Sequence, residues 1–393
     1  MCLLDKSAKL SQKPLEFAKF SSILDKVCYN SYMSISGKQK LISIVGPIAF
    51  VLVYIILFPT IIVPLLATKL YYDIVFNTRC KPTRRCIGSD DYPEMERKEV
   101  WIPSGKNTLY GGIFVDKDNK SPKGVIVLGH GIGCGMNNYL NRVAYFTKHG
   151  YKVVSYDIAG CSKSSGKSIK GLAQSQIDMH NVVLWTSEQE EFKGLPLFVY
   201  GHSWSGYGSA TMLNEDDVKD KITAVASLAG FNNCWDITYF QGKKWVGKAM
   251  ILAKPWVYLL QWLKFGKRGV YNGIKGINNY GGPVLVAHST NDPTVIFSSS
   301  IYAQKGKCTN PNAKFVLYED KGHTLSRPID CDRRIDESCV GKTCNWEEKG
   351  NVFVYNVDVH YEWADEKDIN AIDDEFMDMV DEFYTQSMQA KQA

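Results

Sequence analysis

The stretch Leu197-Phe-Val-Tyr-Gly-His-Ser-Trp-Ser-Gly-Tyr-Gly208 predicts a buried strand that turns sharply at a serine and continues as a helix of small residues. A Gly-x-Ser turn between strand and helix projects the Ser203 hydroxyl clear of a sheet. The small residues Gly201, Ser205 and Gly206 let the chain bend there without clashes. The helix opening behind Ser203 turns free N–H groups and the positive end of its dipole towards the same spot, which favours a negative charge forming there. The bland alternative for so short a string is a simple turn.

A serine hydroxyl is a poor nucleophile at neutral pH, so a chemical role requires a histidine base and a carboxylate to orient it. Both follow later strand-like runs. Pro283-Val-Leu-Val-Ala-His-Ser-Thr-Asn-Asp292 runs into an aspartate, and Phe315-Val-Leu-Tyr-Glu-Asp-Lys-Gly-His323 runs into a histidine. Among the other histidines, His149 is placed at a helix end, His180 within a helix and His360 after a late Val-rich run, positions that suit packing or surface. Asp320 and Asp236 compete with Asp292 as the acid. Val125-Ile-Val-Leu-Gly-His-Gly-Ile-Gly-Cys-Gly135 offers a glycine-rich turn in which backbone approaches substrate. The main-chain N–H groups of Ile132 and Trp204 are therefore the candidate oxyanion donors. A phosphate cradle is the alternative for this loop, but it matches neither Gly-x-Gly-x-x-Gly nor a P-loop.

Further out, β-rich runs alternate with helical stretches from Glu99 onward. Strands are predicted at 100–102, 109–115, 125–129, 152–156, 197–200, 222–228, 284–287 and 315–318. Runs such as Val125-Ile-Val-Leu and Val284-Leu-Val are apolar on both faces, as in parallel strands covered by helices on each side. With the His130-Gly131 loop, Asp157-Ile-Ala-Gly160-Cys-Ser-Lys-Ser164, Gly201-His-Ser-Trp-Ser-Gly206 and the Asp292/His323 pair in this order, residues from about Glu99 to Tyr384 resemble the α/β-hydrolase superfamily, more narrowly its monoglyceride-lipase and serine-aminopeptidase-like (S33-type) branch. The order Ser203, Asp292, His323 is the one such hydrolases use. The resemblance implies a doubly wound, mostly parallel eight-stranded sheet, a helical lid after the sixth strand, and hydrolysis through an acyl-enzyme. Ser205 and Ser162 depart from the family pattern, each standing where glycine is usual.

Ahead of this domain lie 28 consecutive uncharged residues, Leu41 to Thr68. A helix of that length reaches roughly 40 Å against a hydrocarbon core of roughly 30 Å, so a single transmembrane crossing is expected. Pro59 leaves a hairpin within one leaflet as an alternative. The expected organisation is a polar tail (1–40), a transmembrane segment (41–68), a juxtamembrane linker (69–98) and a hydrolase domain (99–393) with a lid at 231–282 and a Cys-bearing insertion at 325–362. The side of the membrane stays open. Lys69, Arg79, Lys81, Arg84 and Arg85 lean towards a cytosolic domain, whereas 11 cysteines, with Cys80/Cys86 and Cys331/Cys339/Cys344 spaced like local disulfides, lean towards an oxidising compartment. A Cys134–Cys161 bond is a further possibility, with free thiols as the alternative.

The lid region holds Trp235, Trp245, Trp256 and Trp262, and between Ile237 and Asn291 there are eight Lys/Arg and no acid. Such a surface suits the membrane interface, although any lid must also bury an apolar face. Net charge is only +5 among 46 basic and 41 acidic residues, which argues against a nucleic-acid partner. No cofactor and no metal site are expected. The expected function is ester hydrolysis on lipid-like acyl substrates at a membrane. A peptidase or acyl-thioesterase on the same residues, or a catalytically idle membrane-anchored binding protein, are the competing expectations.

Overall fold

The computed structural model describes residues 41–80, 92–119, 121–339, 347–349, 352–354 and 364–392, with isolated positions 22, 25, 26 and 39. The chain divides into two compact units, Met1–Val63 and Pro64–Ala393. In the first, the apolar run from Leu41 is helical and its side chains are exposed, with a π-helical turn at Phe58–Ile62 that includes Pro59. One helix, Leu41–Phe76, is long and apolar enough to cross a membrane.

The second unit begins in helix α1 (Val63–Phe76). This helix continues beyond the uncharged stretch because Tyr72 and Phe76 bury their rings in the core of the unit. Next come β1 (Met95–Ser104), β2 (Asn107–Asp116), β3 (Gly124–Gly129), α2 (Leu140–Lys148), β4 (Tyr151–Tyr156), α3 (Ala173–Glu188), β5 (Leu197–His202), α4 (Trp204–Met212) and β6 (Ala224–Leu228). The lid position is helical, with α5 (Cys234–Val246), α6 (Lys254–Phe265) and α7 (Gly273–Tyr280). Then follow β7 (Val284–Ser289), β8 (Ala313–Tyr318), α8 (Ile329–Cys339), a small hairpin of β9 (Glu347–Lys349) and β10 (Val352–Val354), α9 (Glu366–Asn370) and α10 (Asp374–Gln392). His360 and Cys344 lie outside the described residues, as does Cys86.

The eight strands form one sheet in the order β1-β2-β4-β3-β5-β6-β7-β8. β2 runs antiparallel to β1 and β4, and every other pairing is parallel. All eight expected strands are present. The first opens earlier than its apolar run, at Met95, because it pairs along its whole length with β2 as a hairpin from Met95↔Asp116 to Ser104↔Asn107. Alternate residues of the central strands feed two cores. Val125, Val127, Val199 and Val225 join one with α1, α3 and the lid helices; Ile126, Leu128, Phe198 and Tyr200 join the other with α2 and α10. That two-sided burial is why these strands read as unbroken apolar runs. Successive parallel strands all end on one edge, so the loops after β3, β5, β7 and β8 gather there.

Candidate active site

Ser203 sits between β5 and α4 with φ +59° and ψ −114°, a conformation that L residues rarely adopt. Its N–H donates to Leu228 O at 2.8 Å, and its carbonyl accepts from Tyr207 N at 3.0 Å, so the turn is tied to β6 and to its own helix. Glycine is obligatory on either side. A Cβ on Gly201 would lie 2.1 Å from Ser205 O, and one on Gly206 would lie 2.4 Å from Leu228 O. Gly206 thus makes the close helix-to-strand approach, which frees the preceding position to carry a side chain. Ser205 uses it: its fully buried Oγ donates to His130 O at 2.7 Å and meets Ser175 Oγ at 3.2 Å. The other departure, Ser162, adopts φ +40°, the left-handed region in which glycine is usual.

His323 Nε2 lies 2.9 Å from Ser203 Oγ, and His323 Nδ1 lies 2.7 Å from Asp292 Oδ2. The carboxylate can only accept from Nδ1–H, so Nε2 carries the lone pair facing the serine hydroxyl. Asp292 is itself buried, and its Oδ1 accepts the N–H groups of Thr294 at 2.8 Å and Val295 at 2.9 Å. The two loops are laced together. Lys321 N donates to Ser289 Oγ at 3.0 Å, Gly322 N to Asn291 Oδ1 at 2.9 Å, and Thr290 N to Tyr318 O at 2.9 Å. The competing acids point elsewhere: Asp320 accepts from Asn291 Nδ2, and Asp236 from Asn233 Nδ2 within the lid.

The loop after β3 closes over the serine. A Cβ on Gly131 would lie 3.0 Å from Tyr139 Oη and 3.4 Å from Ser203 Cβ, so glycine keeps this face of the serine uncrowded. The Gly131 N–H is already engaged, donating to Tyr139 Oη at 3.0 Å. Ile132 is the next residue, and no hydrogen bond occupies its N–H among the described residues. Trp204 opens α4, so its N–H has no intrahelical acceptor. Its indole N–H donates to Leu172 O at 2.7 Å. Among the described residues no group of three or more His, Cys, Asp or Glu side chains is placed to hold a metal ion.

Three side chains near the serine, of Tyr139, His202 and His130, make contacts that their sequence surroundings do not announce. Tyr139 Oη lies 2.7 Å from His202 Nδ1, and His202 Nε2 lies 2.9 Å from the carbonyl of His323. Because that carbonyl only accepts, Nε2 bears the proton and Nδ1 accepts from Tyr139. One run of bonds therefore joins Gly131 N–H, Tyr139, His202 and the backbone of His323. Burial, and then the neighbouring His323, hold His202 well below the ordinary histidine range. His130 is likewise kept neutral, pushed down to about 4 by burial, with Nε2 accepting from Ile158 N at 2.9 Å and Nδ1 bonded to Gly131 O at 2.7 Å.

Residues 120–272 match the model of the family described as serine aminopeptidase, S33. The fold is that of the α/β-hydrolases. The solved structures similar to this chain include the esterase Pf2001 of Pyrococcus furiosus, at 19% identity and a TM-score of 0.47, covering 63% of this chain and 91% of that one. Est1E of Butyrivibrio proteoclasticus, solved with ferulic acid bound, shares 15% identity at a TM-score of 0.44, over 59% of this chain and 93% of its own. An acetyl xylan esterase from Paenibacillus sp. R4 shares 15% identity at a TM-score of 0.46, over 62% of this chain and 84% of its own. No curated protein matches the sequence significantly.

Proposed function

We propose that this protein is a membrane-anchored serine esterase that cleaves lipid-like acyl esters through an acyl-enzyme. The observation that carries the reading is the continuous relay from Ser203 Oγ through His323 to Asp292, at 2.9 and 2.7 Å. In this mechanism His323 Nε2 takes the Ser203 proton as Oγ attacks the ester carbonyl. Asp292 holds the imidazole and stabilises its protonated form. The N–H groups of Trp204 and Ile132 receive the oxyanion. His323 then returns the proton to the departing alcohol, and water activated by the same imidazole releases the acid.

The lid supports a lipid substrate. Its outer face exposes Trp245 (81% exposed), Trp262 (55%) and Leu263 (63%) amid Lys243, Lys244, Lys248 and Lys267, a mixture that suits rings at headgroup depth and cations against anionic lipid. The apolar helix Leu41–Phe76 supports membrane anchoring. A second reading, hydrolysis of an aminoacyl amide, draws on the family description. Against it, the stretch from Ile237 to Asn291 has no carboxylate to receive a substrate amino group.

The test is fluorophosphonate labelling of the full chain in detergent, followed by turnover of a monoacylglycerol, an acyl-thioester and an aminoacyl-amide. Labelling that vanishes in Ser203→Ala, with the ester turned over fastest, is the expected result. Labelling that persists in that variant overturns the serine assignment, and preference for the amide overturns the substrate class.

A further inference from the structure

The lid helices frame a cleft of about 510 Å³ that is separate from the serine, since none of Ser203, Asp292 and His323 lines it. Its walls come from the first turns of α5, α6 and α7 and from the 3₁₀ turn Tyr302–Lys307. Lys254 of α6, Lys275 of α7 and Lys307 of the 3₁₀ turn all line it. Among the described residues none of these ammonium groups makes an ion pair. Lys307 Nζ donates to Gln304 Oε1 at 2.8 Å, and Lys254 Nζ lies 5.8 Å from the centroid of the Trp235 ring. Asp236 is the one carboxyl of the lining and is already engaged. Asn233 Nδ2 donates to its Oδ2 at 2.7 Å, and burial raises it above the ordinary carboxylate range.

We propose that this cleft binds a phosphomonoester carried on a polyol, either free or as the headgroup of a lipid. Three cations against one carboxylate leave two positive charges in the lining, and a phosphomonoester brings about −1.5 to −2 at pH 7. The cations are lysines and none is an arginine, so they act as separate point charges with rotatable donors. That suits the tetrahedral oxygens of a phosphate better than a planar carboxylate, which an arginine fork would match. The Asn272 side-chain oxygen accepts from Lys275 N at 3.2 Å, and the Gln304 oxygen is held by Lys307, so both side chains turn N–H donors to a ligand.

Size argues for more than an inorganic ion, because the cleft falls within the roughly 300–1,000 Å³ typical of organic ligand sites. Trp235 and Tyr258 supply an aromatic wall for the carbons of the polyol, and the two amides reach its hydroxyls. The positive ends of α5 and α7 add to the field in the cleft. Their first-turn N–H groups do not reach the ligand, because Asn233 Oδ1 accepts from Trp235 N at 2.9 Å and Asp236 N at 3.0 Å, and Asn232 Oδ1 from Ile274 N at 3.1 Å. Nothing in this reading uses Ser203, so it stands or falls apart from the proposed esterase.

The experiment titrates the full chain in non-ionic detergent by calorimetry with three probes. These are glycerol 3-phosphate, glycerol, and mixed micelles of a dialkyl phosphatidic acid, whose ether-linked chains no esterase opens. The expected result is binding of the phosphatidic acid, alone or together with glycerol 3-phosphate, and none of glycerol. Binding of both assigns the site to the phosphomonoester itself, and binding of the lipid alone assigns it to a headgroup presented in a bilayer. Lys275→Ala and Lys307→Ala, both at exposed positions, should each weaken binding on the order of tenfold, and Lys275→Glu combined with Lys307→Glu should abolish it. Lys106→Ala, in the turn between β1 and β2, should leave it unchanged. Failure of both phosphate probes to bind overturns the proposal. So does glycerol binding as tightly, affinity undiminished in the double variant, or an equal loss in Lys106→Ala, the mark of diffuse surface charge.

Discussion

Replacing Ser203 with glycine should stabilise the protein relative to Ser203→Ala, although neither variant retains the proposed nucleophile. Both lose the hydroxyl bonded to His323, so that contribution cancels in the comparison. What differs is a Cβ at φ +59°, ψ −114°. Holding a residue with a side chain in such a sparsely populated region costs about 1–3 kcal/mol. Glycine relieves the strain but gives up about 0.5–1 kcal/mol through the greater freedom of its unfolded chain. Little packing is lost, because the Ser203 side chain faces the site and its closest glycine neighbour, Gly131, offers no side chain. The net expectation is about 1 kcal/mol in favour of Ser203→Gly, or a rise of about 2 °C or more in melting temperature for a unit of this size. Urea unfolding of the full chain in detergent, followed by tryptophan fluorescence, reads the difference at matched slope. A glycine variant equal to or weaker than the alanine variant would refute the strained elbow.

Tyr139→Phe leaves Gly131 N–H and His202 Nδ1 without their partner, and should cost about 2–4 kcal/mol of stability and about tenfold in kcat, with KM little changed. Steady-state kinetics on a short acyl ester separates the two parameters. His130, at about 4 when folded and near its ordinary value when unfolded, binds its proton only in the unfolded chain between those limits. Its neutral burial therefore weakens the fold as pH falls, and the stability deficit of His130→Gln should shrink by about 2–3 kcal/mol from pH 7 to about pH 4.5. A deficit constant with pH, measured from urea midpoints, would contradict this. Gly206→Ala drives a Cβ to 2.4 Å from a backbone carbonyl, so a loss of about 3 kcal/mol or more is expected; Gly194→Ala, with φ +79° and open space around it, should cost only about 1 kcal/mol by the same assay.

The sheet was legible because its central strands are buried on both faces, which leaves runs such as Val125–Leu128 with no polar interruption. The placement of Ser203, Asp292 and His323 was legible for a related reason: each directly follows or closely trails such a run, and parallel strands end on a common edge. What escaped was set by partners remote in the chain. Tyr139 lies 63 residues from His202, and nothing in the local sequence of either marks the bond. Ser205 stands where the family usually has glycine, and nothing local marks the bond of its hydroxyl to His130 O, a contact that depends on Gly129 leaving room across the sheet. Thiol pairing stayed open in the sequence, because spacing along the chain says little about which segments lie side by side.

The loop after β4 connects features that seemed separate. Its residues from Ser162 to Lys170 hold Phe76, Thr78 and Arg79, so the chain emerging from the apolar helix is anchored on this loop. At its far end Leu172 O accepts the indole N–H of Trp204, the residue whose own N–H is the proposed oxyanion donor. The lid joins the same framework, since Gln261 Nε2 donates to Tyr72 Oη at 2.7 Å and Lys264 Nζ to Lys170 O at 3.1 Å. A residue at the first turn of a helix is sensitive to displacement, because a misplacement of about 1 Å at a reacting centre costs on the order of a hundredfold in rate. An anchor attached through a flexible linker would leave that geometry independent of the membrane. Here the helix end, the lid and the serine turn share one loop, so under the proposed anchoring a pull on the apolar helix would reach the loop that seats Trp204.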